Sequence, residues 1–174
     1  LQVSELAGRT RNLDEILASL VRLTPMLGGV DRCCVFLWDR ERGRYVASQA
    51  YGLHDELRER FGGLRFAPGE FPLLDQVRAG RELVLAEAGD TARLVPAELA
   101  HASGAASALA LPLRTQDEVL GVMLVDHAGP AHRFSQQRIA LLAGIANQAA
   151  LAIENVQLYH ESLENERMAQ ELAV

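Results

Sequence analysis

Few side chains in this 174-residue chain have the type and setting for chemistry. Cys33 and Cys34 are adjacent inside an apolar, strand-like run, so they face opposite sides of a strand and a disulfide between them is disfavoured. They read as two buried free thiols in a reducing cytoplasm. His101 is the candidate haem or metal ligand, a lone histidine with no second ligand at metal-binding spacing. His127 and His132 flank Gly129-Pro130 beside Asp126, where they suit either a loose surface metal site or ordinary surface polarity. A ligand pocket needs apolar walls and a few polar anchors. Phe36, Trp38, Phe66, Phe71, Leu74 and Leu94 are the candidate walls, and Arg93, His101 and Ser107 the candidate anchors. Core filling demands the same apolar residues, and the sequence leaves both uses open. No cofactor is specified.

These residues must be positioned by elements that the patterning marks out. Apolar positions Leu13, Ile16, Leu17, Leu20 and Leu23 recur at helical spacing after Asn12, a candidate N-cap; Pro25 disturbs the end of the pattern and Gly28-Gly29 closes it. The run 32–38, Arg32-Cys-Cys-Val-Phe-Leu-Trp38, is continuously apolar after its first residue, as in a strand covered on both faces. Cys34, Phe36 and Trp38 share one of its faces, Val35 and Leu37 the other. Residues 39–43 form a turn and 44–51 a second strand. The middle predicts short helical pieces at 54–61, 71–78 and 96–103, a short strand at 83–85, and breaks at Gly62-Gly63, Pro68-Gly69 and Gly80. Segments of this kind often cover a cavity. Then come strand 107–113, a polar turn Arg114-Thr-Gln-Asp117, strand 118–125, and a helix opened by Ser135. Ala108, Ala110 and Gly121 are small residues on that hairpin, leaving room for a ligand or for a closely packed helix.

The last helix is too long for its sheet. Ile139, Leu142, Ile145 and Ala146 form a stripe that can lie on the strands, whereas Ala149, Ala152, Val156, Tyr159 and Leu163 alternate by three and four as a coiled-coil seam does. The expectation is a homodimer through the terminal helices.

The formal charge of −6, from 17 basic and 23 acidic residues, argues against nucleic acid or an anionic membrane as main partner. No apolar run is expected to reach the roughly 20 residues that span a bilayer. The chain begins Leu1-Gln2-Val3 without an initiator Met, as a piece of a longer protein would.

Taken in order, the segments resemble the GAF domain family of sensory modules. Residues 12–27 are similar to the leading helix and Val30-Asp-Arg-Cys-Cys-Val-Phe-Leu37 to the first strand. Phe66-Ala-Pro-Gly69 with 77–84 resembles the Gly-containing middle. Residues 104–113 and 118–124 look like the central hairpin, and Phe134-Ser-Gln-Gln with 141–155 resembles the closing helix. The likeness spans about residues 12–159. It implies an α+β, GAF-like (PAS-related) fold: an antiparallel sheet of five to six strands, with N- and C-terminal helices on one face and a variable helical lid on the other. It also implies a division into an N-terminal extension or end of an upstream helix (1–11), a sensory domain (12–155) and a signalling helix (156–174).

Family subtypes have recognisable residues. Where cyclic-nucleotide-binding members carry Asn-Lys and, after a Phe, Asp-Glu, this chain has Asp126-His127, then Phe134 and Arg138-Ile139. The stretch Glu98-Leu-Ala-His-Ala-Ser103 lacks a bilin-attaching Cys, and Cys33-Cys34 does not match the cysteine set of the family's sulfoxide reductase. The resemblance therefore implies a regulatory, non-enzymatic, cytoplasmic domain. It would sense a small molecule and relay a signal through its C-terminal helix to a covalently linked phosphatase or histidine-kinase output. The alternatives are a ligand-free dimerisation scaffold and a haem-based sensor.

Overall fold

A computed structural model describes residues 2–101, 106–128 and 134–173. Its centre is one antiparallel sheet of β1 (Arg32–Asp39), β2 (Arg44–Tyr51), β3 (Arg65–Phe66), β4 (Val84–Ala86), β5 (Ala106–Arg114) and β6 (Val119–Ala128), in the order β3-β2-β1-β6-β5-β4. Helices α1 (Gln2–Gly28) and α5 (Gln136–Leu172) cover one face. The other face carries α2 (Asp55–Phe61), α3 (Pro72–Gly80), α4 (Ala88–Leu94) and a 3-10 turn at Ala97–Leu99. Because strand side chains alternate, the two apolar layers separate cleanly. Cys34, Phe36, Ala108, Ala110, Val122 and Leu124 face the short helices. Cys33, Val35, Leu109, Leu111, Met123 and Val125 face the two long ones.

The hairpins form where turn chemistry predicts them. Asp39 accepts from the backbone N–H groups of Glu41 (3.1 Å) and Arg42 (3.3 Å), and Gly43 takes the left-handed φ of 62° that ends the turn. In the second hairpin the Thr115 hydroxyl accepts from the N–H groups of Asp117 (3.3 Å) and Glu118 (3.2 Å). Gly121 answers a different need from either expected one. A Cβ there would lie 2.3 Å from the carbonyl oxygen of Phe36, so the close approach is to the β1 backbone rather than to a ligand or helix.

Several expectations are corrected. Asn12 is no N-cap: α1 is already helical from Gln2, since residues 2–11 contain no proline and only one glycine, Gly8, to interrupt it. Pro25 lies inside the helix, which closes at Gly28 as the Gly28-Gly29 pair predicts. Helix α4 was not foreseen, because its sequence Ala-Gly-Asp-Thr-Ala-Arg-Leu has one apolar anchor, Leu94, and no periodic stripe. The piece expected at 96–103 is helical only at Ala97–Leu99, as a 3-10 turn. Its last two residues, together with Gly104, the Gly129-Pro130 break and His132, lie outside the described residues.

Ser135 does cap α5, accepting from the Arg138 N–H at 3.2 Å. The expected seam packs largely within its own chain. Ala149 is buried, and Ala152 and Val156 join the same apolar cluster as α1. The Tyr159 ring lies 3.8 Å beneath the guanidinium of Arg9, and Leu163 is half-buried. Contrary to the expectation for the chain, α5 is long and apolar enough by composition to pass for a membrane span. The physical reason is that it serves as a core helix: Leu142, Ala146, Ala150 and Ile153 are buried in the apolar layer it shares with α1 and the sheet.

Candidate functional site

Arg32 opens β1 and Asp126 lies directly opposite it on β6, both on the short-helix side of the sheet. Two opposite charges at facing positions of adjacent strands can form a cross-strand pair. Arg32 donates from Nε to Asp126 Oδ1 (2.9 Å) and from Nη2 to Oδ2 (2.6 Å), while each residue is about nineteen-twentieths buried (6% and 5% exposed). The covering segment closes on this pair by two polar links. Arg32 Nη2 donates to the carbonyl of Leu99 (2.6 Å), and Nε2 of His101 meets Asp126 Oδ1 at 2.9 Å. Since a carboxylate only accepts, Nε2 carries the proton.

Burial alone would raise the Asp126 carboxyl, but hydrogen bonds from His101 and Arg32 outweigh it and hold that group below the usual carboxylate range. Burial likewise opposes the charge on Arg32, and the Asp126 carboxylate more than restores it. The pair is therefore ionised, and its two charges balance where neither could be buried alone.

Above this charged floor is a cavity of about 390 Å³. Its walls are small: Ala88, Thr91 and Ala92 from α4, Val95 and Ala100 beyond it, and Ala108 from β5. The size is at the low end of small-molecule pockets. Thr91 turns its hydroxyl back to the Ala88 carbonyl (3.0 Å), which leaves the α4 wall mainly methyl groups.

Of the candidate walls and anchors, His101 lines this cavity, and so does Ala108, one of the small hairpin residues expected to leave room for a ligand. Phe36, Phe66 and Phe71 pack with Phe61 at ring distances of 5.1–6.0 Å, over a fully buried Leu74, as a solid cluster. Trp38 lies at the far end of β1, its ring 3.6 Å below the guanidinium of Arg78, beside an open cleft of about 950 Å³ with Asp75 and Arg81. Leu94 is buried under α4, whereas Arg93 is exposed and pairs with Asp90 at 3.2 Å. Ser107 is buried on the opposite face, next to Leu109 in the alternation of β5. His127 lies on that face too, with its ring 5.5 Å from that of Phe134.

Sequence reasoning misses Arg32 and the α4 wall, and it reads Asp126 only beside His127 and His132 or against a family motif. A signal existed. Both are charges at the ends of strands whose patterning marks them as doubly covered, so each demanded a buried partner.

The strand end that carries Asp126 is also tied to the segment that follows α1. Asp31, which follows α1, donates its N–H to the Asp126 carbonyl (2.9 Å), and its side chain accepts from the Ala128 N–H (2.7 Å). Thus the strand positions flanking the charged pair hold the end of α1 and lead towards the start of α5.

The profile of the GAF domain matches residues 12–153. No curated protein matches the chain significantly. Among solved structures, the GAF domain/HD domain protein from Geobacter sulfurreducens is similar over 88% of this chain and 98% of its own, with a TM-score of 0.74 and 24% identity. The GAF domain from Acinetobacter phosphoenolpyruvate-protein phosphotransferase has a TM-score of 0.72 and 22% identity, covering 90% and 95%. The type II free methionine-R-sulfoxide reductase from Thermoplasma acidophilum has a TM-score of 0.67 and 15% identity, covering 85% and 96%. These likenesses are of fold. With its profile match spanning most of the sequence and the sheet, helical layers and lid in place, the chain belongs to the GAF domain family.

Proposed function

We propose that this chain is a regulatory domain that binds a small effector beneath α4 and relays the change through α5. The observation that carries this reading is the buried Arg32–Asp126–His101 group, which joins the cover, two central strands and the cavity at one point. A ligand that engages Arg32 or His101 competes with the links holding the cover down. It would thereby favour one of two arrangements of the cover and of the strand ends that hold α1 and lead to α5, a shift of population rather than a new fold.

The length of α5 supports an output role. The helix has 37 residues, about 55 Å at 1.5 Å per residue, and Ile153 is its last buried position. The remainder would act as a signalling helix into a covalently linked output, with a phosphatase or histidine kinase as the expected kinds. The Geobacter protein, which joins a GAF domain to an HD domain, is a precedent for such an arrangement. A cytoplasmic homodimer fits the surface: Leu151 and Leu158 on α5 and Ile16, Leu23 and Leu27 on α1 are exposed apolar residues on the terminal helices. A regulatory rather than enzymatic role fits the cysteines, since burial pushes the Cys33 thiol up to about 12 and raises Cys34 well above its ordinary value.

A second reading, a ligand-free dimerisation scaffold, is favoured by that same exposed apolar surface. Native mass spectrometry separates the two. A dimer that retains a small molecule, or that is stabilised by members of a metabolite library, is expected for the sensor. An empty dimer whose melting is indifferent to the whole library would leave only the scaffold.

A further inference from the structure

The cavity under α4 has a definite hydrogen-bonding remainder. Both oxygens of Asp126 are doubly engaged: Oδ1 accepts from Arg32 Nε and His101 Nε2, and Oδ2 from Arg32 Nη2 and, at 3.2 Å, from the same Nε. The other Nη2 hydrogen goes to the Leu99 carbonyl. Arg32 Nη1 and His101 Nδ1 have no hydrogen-bond partner among the described residues, yet neither is sealed off, and both residues line the cavity. What remains is therefore two N–H donors on Nη1, one imidazole nitrogen, and walls that are mostly methyl groups. The acceptor that would hold an amine is already in use.

From this remainder we propose that the cavity takes a small carboxylate with an apolar body, bound together with one proton. The proposal rests on the effector reading above. Arg32 and Asp126 cancel, so a buried anion needs one further positive charge. His101 supplies it. With Nε2–H committed to Asp126, Nδ1 can donate to a carboxylate oxygen only when the ring is an imidazolium, while Nη1 serves the other oxygen. A dianion such as phosphate would leave a charge uncompensated. Among the described residues, no second ionisable group competes for the role. Arg32 faces the imidazole from β1 and Asp126 from β6, while α4 contributes no ionisable lining residue, its Asp90 and Arg93 being paired at the surface, and Glu98 is exposed.

Titration calorimetry on the whole chain tests this with acetate, hexanoate and phenylacetate, each beside its primary amide, in two buffers of different ionisation enthalpy. At least one carboxylate is expected to bind about tenfold or more tighter than its amide, with uptake of about one proton. Because one proton is bound with the carboxylate, its affinity should fall as pH rises, by at most about tenfold per unit. His101→Gln keeps an amide N–H for Asp126 but cannot take up the proton, so the pH slope should vanish and the affinity fall about tenfold. Ala108→Leu should fill the cavity and abolish binding while the chain still melts cooperatively. Amides that bind as well as their acids, or a pH slope that survives in His101→Gln, would overturn the carboxylate assignment and leave the effector pocket standing. If neither acids nor amides bind, the assignment fails and the effector reading loses its pocket as well.

Discussion

The layer beneath the short helices has two halves built on opposite rules. Under α2 and α3 the sheet is covered by four phenylalanines, with Phe36 and Phe71 fully buried and the Tyr45 hydroxyl donating to the Leu74 carbonyl at 3.3 Å. The four rings pack against one another at 5.1–6.0 Å. Under α4, on the same sheet face, alanines replace the rings and leave a cavity of about 390 Å³ over a charged floor. Both halves bury strand side chains, but the second keeps unsaturated polar groups of a buried cluster beside empty space. Large side chains gave the fold its stability in one half; small ones left the other free to be specific.

The contrast can be tested first where the effects are largest. Phe36→Ala and Asp126→Ala should each lose about 3–5 kcal/mol in denaturant titrations, the first by opening a cavity and the second by stranding a buried guanidinium. They should differ in rescue. Adding Arg32→Met to Asp126→Ala should restore most of the loss, because both charges are then gone. A double variant no more stable than Asp126→Ala would mean that the group is held by packing, as the aromatic half is.

A smaller effect separates two alanines on one face of β5. Ala110→Leu, in filled core, should cost about 1–3 kcal/mol through overpacking, whereas Ala108→Leu should cost less than about 1 because it enters space already empty. Equal losses in thermal or chemical melts would argue that the alanine half is as full as the aromatic one.

The smallest effects at neutral pH lie in the titration limbs. Asp126 has a lowered folded-state pKa, so its contribution is present above the unfolded carboxyl value of about 4 and is lost as pH falls through the lower folded value. Cys33, on the other face, is pushed by burial to about 12. Its contribution is complete below the unfolded thiol value of about 8.5 and disappears as pH rises through the folded one. Asp126→Asn should flatten the acid limb of a stability–pH curve, and Cys33→Ala the alkaline limb. Interchanged results would reverse the assignment.

The sequence by itself determined the layering. Alternation along β1, β5 and β6, turn residues such as Asp39 and Gly43, and the Ser135 cap act over a few residues, so local pattern suffices to place them. It also carried the order of elements by which the family was recognised. It could not say that Phe36, Phe61, Phe66 and Phe71 meet, since they come from four segments and an apolar run reads alike over a full core and over a cavity. Neither could it show that α1 would take up the Ala152 and Val156 side of α5, which has the spacing of a seam for any partner. The site was least legible. Asp126 lies 94 positions from Arg32 and 25 from His101 in the chain, and only strand pairing and the closure of the cover bring the three into one hydrogen-bonded group. Tertiary structure decided that, because burial makes an unpaired charge intolerable and so selects the fold in which each of the three finds the others.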